Sequence, residues 1–338
     1  MDRDKRNDGE APGWNGTVID AHHHFWDLER NYHPWLCDEH LIPRRHGDYR
    51  AIRRTYLPDD YRRDWAGLRI VGSVHVEAEW NPSDPLGESA WVESMAESAG
   101  IPSVIVAQAW LARPDADEVL AGQARYPRVR GVRDKPAAAS RPDRVVAGAP
   151  GSMSDPAWQA GYARLEAHGL SFDLQAPFWH LREARTLADR FPATSIILDH
   201  TGLPNDRSPE GLAAWRDAMR DLAGAPNAAV KISGLGEPHL PPWSVDVHRD
   251  VVLETIDIFG VDRCMFASNY PVDRLYAPFH TIMSGFLSIT GRFPAAERRL
   301  MFRDNAIRWY RIGPGSLVGG AGADDGPPPG AASGDACA

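Results

Sequence analysis

The sequence predicts a single-domain (β/α)8 TIM barrel, and three observations carry that expectation. Eight short apolar runs recur along the chain, amphipathic helical patterns lie between them, and polar residues close several of the runs. The runs are Thr17 to Ala21, Ile70 to Val76, Ser103 to Ala109, Val129 to Val132, Ser171 to Leu174, Ser195 to Leu198, Ala228 to Ile232 and Arg263 to Ala267. Dense apolar runs suit parallel strands covered on both faces, whereas a half-solvated antiparallel sheet alternates apolar with polar residues. A barrel of this kind ordinarily occupies about 250 residues as one unit. The 338-residue chain therefore holds one barrel over 17–312, with a charged, turn-rich N-terminal extension at 1–16 and a Gly/Pro/Ala-rich tail at 313–338. Both ends are expected to be disordered.

Between the strands, Leu86 to Ala99 carries Trp91 and Met95 on one face and stops at Gly100. Asp155-Pro156 opens a segment bearing Trp158, Tyr162 and Leu165, and Ser208-Pro209-Glu210 opens another bearing Leu212, Trp215, Met219 and Leu222 before Gly224. Leu181 to Phe191 and Val247 to Phe259 repeat the pattern. Their aromatic residues read as core. The stretch from Asp27 to Trp65 lacks clear periodicity and reads as a loop over the barrel mouth, because excursions longer than about 15 residues usually serve function.

Composition narrows the function classes. With 37 basic against 46 acidic side chains the formal net charge is −9, and no Lys/Arg-rich run offers a nucleic-acid footprint. The arginines between Arg44 and Arg63 are interrupted by Tyr49, Ile52, Tyr56 and Asp59, and read as a solvated or substrate-covering segment. No stretch approaches the ~18 to 20 apolar residues of a membrane span, and the N-terminus has no apolar signal core. Cys37, Cys264 and Cys337 match neither a zinc ribbon nor a disulfide framework, so a reducing cytoplasm is expected. The expected partner is a small-molecule substrate, with neither nucleic acid nor membrane; a homo-oligomer stays open.

Chemistry in such a barrel comes from the C-terminal ends of the strands. After the first strand, His22 and His24 alternate onto one face while His23 points the other way, and neutral imidazole is a common metal ligand. Either a metal or catalytic pair or two satisfied core histidines fits that pattern. After the second strand, Glu77 could hold an arginine, order water, act as a base or be a surface acid. Around the fourth, Arg130 and Arg133 place two guanidiniums suited to carboxylate recognition, with a plain salt bridge to Asp134 as the alternative. Gln175 follows the fifth strand, and His200 supplies a third imidazole after the sixth. The eighth ends in Ser268-Asn269-Tyr270-Pro271-Val272-Asp273, with Asn269 at the lip and Asp273 four residues on, in a pattern that a turn would also favour.

In their order along about residues 17 to 311, several motifs resemble those of the amidohydrolase superfamily. They are Ile19-Asp20-Ala21-His22-His23-His24-Phe25-Trp26-Asp27, Arg130-Gly131-Val132-Arg133, Leu198-Asp199-His200-Thr201-Gly202, Lys231-Ile232-Ser233-Gly234-Leu235, Ser268-Asn269-Tyr270-Pro271 and Asp304-Asn305-Ala306-Ile307-Arg308-Trp309-Tyr310. The branch they resemble, amidohydrolase-2, includes L-fuconolactonase-like, L-rhamnonolactonase-like and 2-pyrone-4,6-dicarboxylate lactonase-like enzymes. The resemblance implies a (β/α)8 barrel and carries the family's histidines onto His22, His24 and His200. It also makes Arg130 and Arg133 candidates for binding an anionic or polyhydroxylated substrate. Members with two metals use a lysine or glutamate after strand four and a histidine after strand five, where this chain has Arg133-Asp134 and Gln175. The implied centre therefore has one divalent ion, zinc or manganese, or is metal-free. The family's strand-eight aspartate is replaced by Asn269, which cannot accept a proton.

The expected reaction is opening of a lactone or related cyclic ester of a small polar or carboxylated metabolite. His22, His24 and His200 polarise the carbonyl, directly or through one metal ion. Asp273 or one of the histidines takes the proton from water, Arg130, Arg133, Gln175, Glu77 and Asn269 orient the substrate, and Trp26 supplies an apolar wall. The alternatives are nonoxidative decarboxylation of an aromatic or unsaturated acid and non-catalytic ligand binding on a barrel that has lost its aspartate.

Overall fold

The computed structural model describes residues 16–43 and 45–318. Residues 1–15 and 319–338, most of the two anticipated extensions, lie outside the described residues. Of the expected tail, residues 313–318 are described, and Pro314–Ser316 form a 3-10 turn whose last carbonyl accepts from Ser103 Oγ at 2.7 Å.

All eight expected strands form: β1 Val18–His23, β2 Ile70–Val76, β3 Val104–Gln108, β4 Val129–Asp134, β5 Ser171–Leu174, β6 Ile196–Leu198, β7 Ala228–Ile232 and β8 Cys264–Phe266. They pair in parallel in sequence order from β1 to β8. The seam between last and first is closed just beyond β8, where Asn269 N donates to His22 O at 2.8 Å and His24 N donates to Tyr270 O at 2.7 Å. Side chains reinforce it: Asp20, fully buried in β1, accepts from Ser268 N at 2.8 Å, Ser268 Oγ at 2.6 Å and Tyr61 OH at 2.6 Å.

Strand alternation builds two apolar layers. Ile19, Ala21, Val74, Val76, Val104, Val106, Ile197, Ala229 and Met265 join the C-terminal Tyr310 in one cluster that fills the barrel. The opposite faces pack under the helices, where Trp158, Trp215 and Phe286 are buried. A bulge in β1 moves the pattern by one: the register steps from Asp20 opposite Ser73 to His23 opposite His75, so three residues span two. Ala21 and His22 therefore both lie on the interior side, and the apolar strand can end in inward-facing histidines.

The expected helices appear as Gly87–Ala99, Pro156–Tyr162, Leu181–Arg190, Pro209–Ala223 and Val245–Phe259. Ser208 caps its helix by accepting from Gly211 N at 3.0 Å. The 27–65 excursion is more structured than its lack of periodicity suggests. It holds a short helix at Pro34–Cys37 and another at Pro58–Asp64, which buries Pro58 and Tyr61 and leaves mainly charged residues outward. Two buried positions in seven are too few to register as a period.

Candidate active site

The strand ends bring three of the expected histidines together. The ring centroids of His22 lie 5.0 Å from His24 and 4.7 Å from His200. His24 sets its Nδ1 2.7 Å from the carbonyl of Val76. A carbonyl only accepts, so Nδ1 carries the proton and the lone pair sits on Nε2. His200 contacts Ser233 Oγ through Nδ1 at 2.9 Å. Burial, aided by nearby cations, holds all three imidazoles well below the usual 6.5, so they are neutral at physiological pH.

Backbone geometry at this site is unusual. His200, Thr201, Gly202 and Leu203 take four successive positive φ values, between 52° and 68°. Non-glycine residues there cost on the order of 1–3 kcal/mol each, strain that clusters at functional sites. Gly234, also left-handed, lies so close that a Cβ would sit 2.5 Å from His200 Nδ1. That position requires glycine.

Beneath the histidines lies an ion cluster of residues to which the sequence reading gave no role. Lys231, completely buried in β7, has its Nζ 2.5 Å from Asp173 Oδ2, 3.1 Å from Asp199 Oδ1 and 3.3 Å from His22 Nδ1. Tyr310 adds a hydrogen bond to Asp173 Oδ2 at 2.8 Å. Burial would raise the Asp199 carboxyl, but Lys231, His200 and Arg133 draw it below its ordinary value. Asp173 is pushed the other way by burial, to about 6. The available signal was Lys231 itself: a lysine inside the strand Ala228–Ile232 must be buried, and a buried lysine needs carboxylates.

Arg133 and Glu77 meet as a buried pair, Nε to Oε1 at 2.6 Å, while a second guanidinium nitrogen donates to Gln175 Oε1 at 3.1 Å. Glu77 and Asp199 keep Arg133 charged against the effect of burial. Asn269, left-handed at φ 54°, donates its Nδ2 to Asp273 Oδ1 at 2.7 Å. Asp273 is raised to about 7 by burial, which outweighs the opposing pull of Arg45 and the Asn269 hydrogen bond.

A cavity of about 770 Å³ sits over this cluster, bordered by His24, His200, Arg133, Gln175 and Asn269 among others, with Trp35, Arg45 and His46 contributed by the 27–65 excursion. Asp273 is not on its wall, being set behind Asn269. Two expected residues are placed elsewhere. Arg130 is not at the mouth: its guanidinium bonds to the carbonyls of Pro127, Val129 and Arg311, at the N-terminal end of β4. An odd spacing of three along a strand separates it from Arg133 by about 10 Å and onto the other face. Trp26 is fully buried behind His24, which it stacks at 6.2 Å, and Trp35 takes the cavity-facing position.

These residues fit a divalent ion. Among the described residues, His22, Asp199 and His200 offer ligand atoms within 4.8 Å of one another. Buried His22 Nε2 has no hydrogen-bond partner, and an unpaired buried polar atom costs about 1–3 kcal/mol, while Asp199 Oδ2 is 3.6 Å from Arg133, beyond hydrogen-bond reach. Two imidazoles and a carboxylate suit zinc or a similar first-row ion. The carboxylate of Asp199 thus stands in this group, and His24 lies beside it.

The family model described as amidohydrolase matches residues 19–312. An uncharacterized protein of Sinorhizobium fredii, y4mH, is 40% identical over 88% of this chain and 99% of its own. An L-fucono-1,5-lactonase of Burkholderia ambifaria is 28% identical over 87% of this chain and 95% of its own. The crystal structure of an amidohydrolase from Burkholderia multivorans with bound zinc superposes with a TM-score of 0.71 at 26% identity, covering 88% of this chain and all of that one. Barrel, strand-end histidines and a match running from the first strand to the last helix lead to one conclusion: the chain belongs to the amidohydrolase family.

Proposed function

We propose that this hydrolase opens the lactone of a small polyhydroxylated acid. The observation that carries the reading is the convergence of His22, His24, His200 and Asp199 beneath a cavity whose lysine and arginines, among the described residues, are already matched. Arg133 pairs with Glu77, Lys135 with Glu79 and Arg45 with Glu237. The other polar groups on the wall include Ser140, Gln175, Asn205 and Asn269, donors and acceptors for hydroxyls rather than for a second carboxylate. The similarity to L-fucono-1,5-lactonase over nearly the full length supports the same substrate class.

His22, Asp199 and His200 would hold the metal, zinc or manganese, and such an ion supplies Lewis acidity toward a carbonyl and its attacking water. His24 stands outside that group with the Nε2 lone pair left by its Val76 contact, and takes the proton from water. Asn269 has its Nδ2 committed to Asp273, which leaves Oδ1 to accept a hydrogen bond from the water. Asp273 accordingly positions Asn269, a more indirect part than that of a base. Arg133 and Gln175, hydrogen-bonded to each other, orient the substrate's hydroxyls. Water adds to the carbonyl carbon, the ring C–O bond breaks, and the ring oxygen takes the proton from the His24 imidazolium and leaves as the hydroxyl of the hydroxy acid.

The test is a panel of sugar lactones that includes L-fucono-1,5-lactone, assayed with and without chelator. Ring opening that His200→Ala abolishes supports the reading. No ring opening under either condition, or carbon dioxide release from an aromatic acid instead, overturns it.

A further inference from the structure

A smaller chamber of about 230 Å³ lies beside the main cavity, over the ends of β2, β3 and β4. At ~30 Å³ per water it holds roughly eight water-sized groups. Trp35, Glu79, Arg133 and Lys135 border both spaces, so the two are neighbours across one shared wall. None of the residues already given a catalytic part, His22, His24, His200 or Asp199, lines the chamber.

Its most informative residue is Gln108, the last of β3. Val104 and Val106 face the barrel interior, so alternation brings Gln108 to the same side, next to Arg133, its register partner on β4. Gln108 is only 7% exposed, and its Oε1 is buried without a hydrogen-bond partner. An amide oxygen left so is costly unless something outside the chain donates to it. The charged residues around it are already engaged. Glu77 binds Arg133, Glu79 binds Lys135, and Asp134 accepts from Leu111 N and Trp158 Nε1, both at 2.9 Å. Among the described residues that line the chamber, no cation is left over for an anionic group, while Trp35, Trp80 and Trp110 present broad aromatic surface.

We propose that the chamber is a second substrate subsite, which takes an uncharged hydroxylated substituent of glycosyl or polyol type carried by the lactone opened next door. Gln108 accepts a hydrogen bond from one of its hydroxyls, and the tryptophans cover its C–H faces. The substituent crosses the shared wall beside Glu79 and Lys135. The inference rests on the lactonase reading for its reaction, though not for its binding.

The experiment compares D-glucono-1,5-lactone with lactobiono-1,5-lactone, the same ring bearing a galactosyl group, in the wild-type protein and in Gln108→Leu and Trp110→Ala. In parallel, saturation-transfer NMR uses lactitol, a neutral glycosylated polyol with no lactone. The expected result is a preference of about tenfold or more in kcat/KM for the glycosylated lactone, carried mainly by KM. Both variants should reduce that ratio to within about twofold, and lactitol transfer should be present in wild type and lost in Gln108→Leu. Equal handling of the two lactones with no lactitol transfer overturns the subsite and leaves the lactonase reading standing. A preference that both folded variants retain also overturns it. If neither lactone opens while lactitol binds and Gln108→Leu abolishes the binding, the lactonase reading falls and the subsite stands.

Discussion

The Nζ of Lys231 lies 3.1 Å from Asp199 Oδ1, with both side chains completely shielded from solvent. The same ammonium meets Asp173, so one buried cation faces two buried acids. Removing one member of a buried ion pair typically costs about 3–5 kcal/mol, because its partner stays charged in a low-dielectric interior. Lys231→Met should lower stability by roughly that amount, measured by denaturant melts, and should abolish turnover. A variant with unchanged midpoint would show that the cluster holds the barrel together less than its burial implies.

Chelation gives a second test. With His22, Asp199 and His200 as the ligand group, elemental analysis should find one divalent ion per chain in the wild type. Both His22→Ala and His200→Ala should fall below about a tenth of that stoichiometry. His24→Gln should retain the ion and lose turnover by about 10²-fold or more, the usual contribution of a general base. Loss of metal from the His24 variant would move that residue into the ligand set.

Asp273 predicts the pH profile. Its carboxyl is raised to about 7 by burial, with Arg45, Asn269 and Glu237 facing it. Ionised Asp273 fixes the Asn269 amide, so kcat/KM should fall as pH drops below about 7. Asp273→Asn, which resembles the protonated form, should lose that acid limb and show the low-pH rate throughout. Stability has the opposite sign. A folded value above the ordinary 3.8 means that the native state holds the proton more tightly, so this residue's contribution is greatest below about 4 and is lost as pH rises through about 7. Relative to wild type, the Asn variant should therefore gain stability between pH 5 and pH 8, measured by paired melts.

Asp20→Ala should destabilise the fold without touching the cavity. Four donors converge on this carboxylate, Ser268 N, Ser268 Oγ and Tyr61 OH together with His22 N at 3.3 Å, and at least the first three would be left unsatisfied. With each orphaned buried donor costing about 1–3 kcal/mol, a loss of at least 3 kcal/mol is expected in equilibrium unfolding. A shift under about 1 kcal/mol would mean that the backbone bonds alone hold the seam.

Much of this was legible in the sequence because barrels announce themselves by repetition. Each of the eight apolar runs is a strand, and each overlaps its expected range. His22, His24 and His200 meet because strand ends converge in this fold whatever the intervening sequence. What stayed hidden depends on side-chain direction over distance. Arg130 and Arg133 read alike on paper, but three steps of strand separate them onto opposite faces and different depths. Asp199 read as a neighbour of His200, and its place in the candidate ligand group follows from the left-handed turn that carries His200 away from the strand axis. Trp35 takes the cavity-facing place expected of Trp26 because the excursion folds back over the mouth. Gln108 stayed hidden because it falls inside the expected run Ser103 to Ala109, whereas the strand ends on it and so brings its amide to the lip.

The backbone bonds joining His22 to Asn269 and His24 to Tyr270 have a consequence for synthesis. These residues lie near opposite ends of the barrel's chain, so the same two contacts both close the cylinder and fix the strands that carry the histidines. A nascent chain emerging from the ribosome can build every earlier strand pair and still leave His22 and His24 on an open edge. Activity should therefore arrive abruptly, with release of the final strand and the segment through Tyr310, and the unfinished polypeptide should be inert.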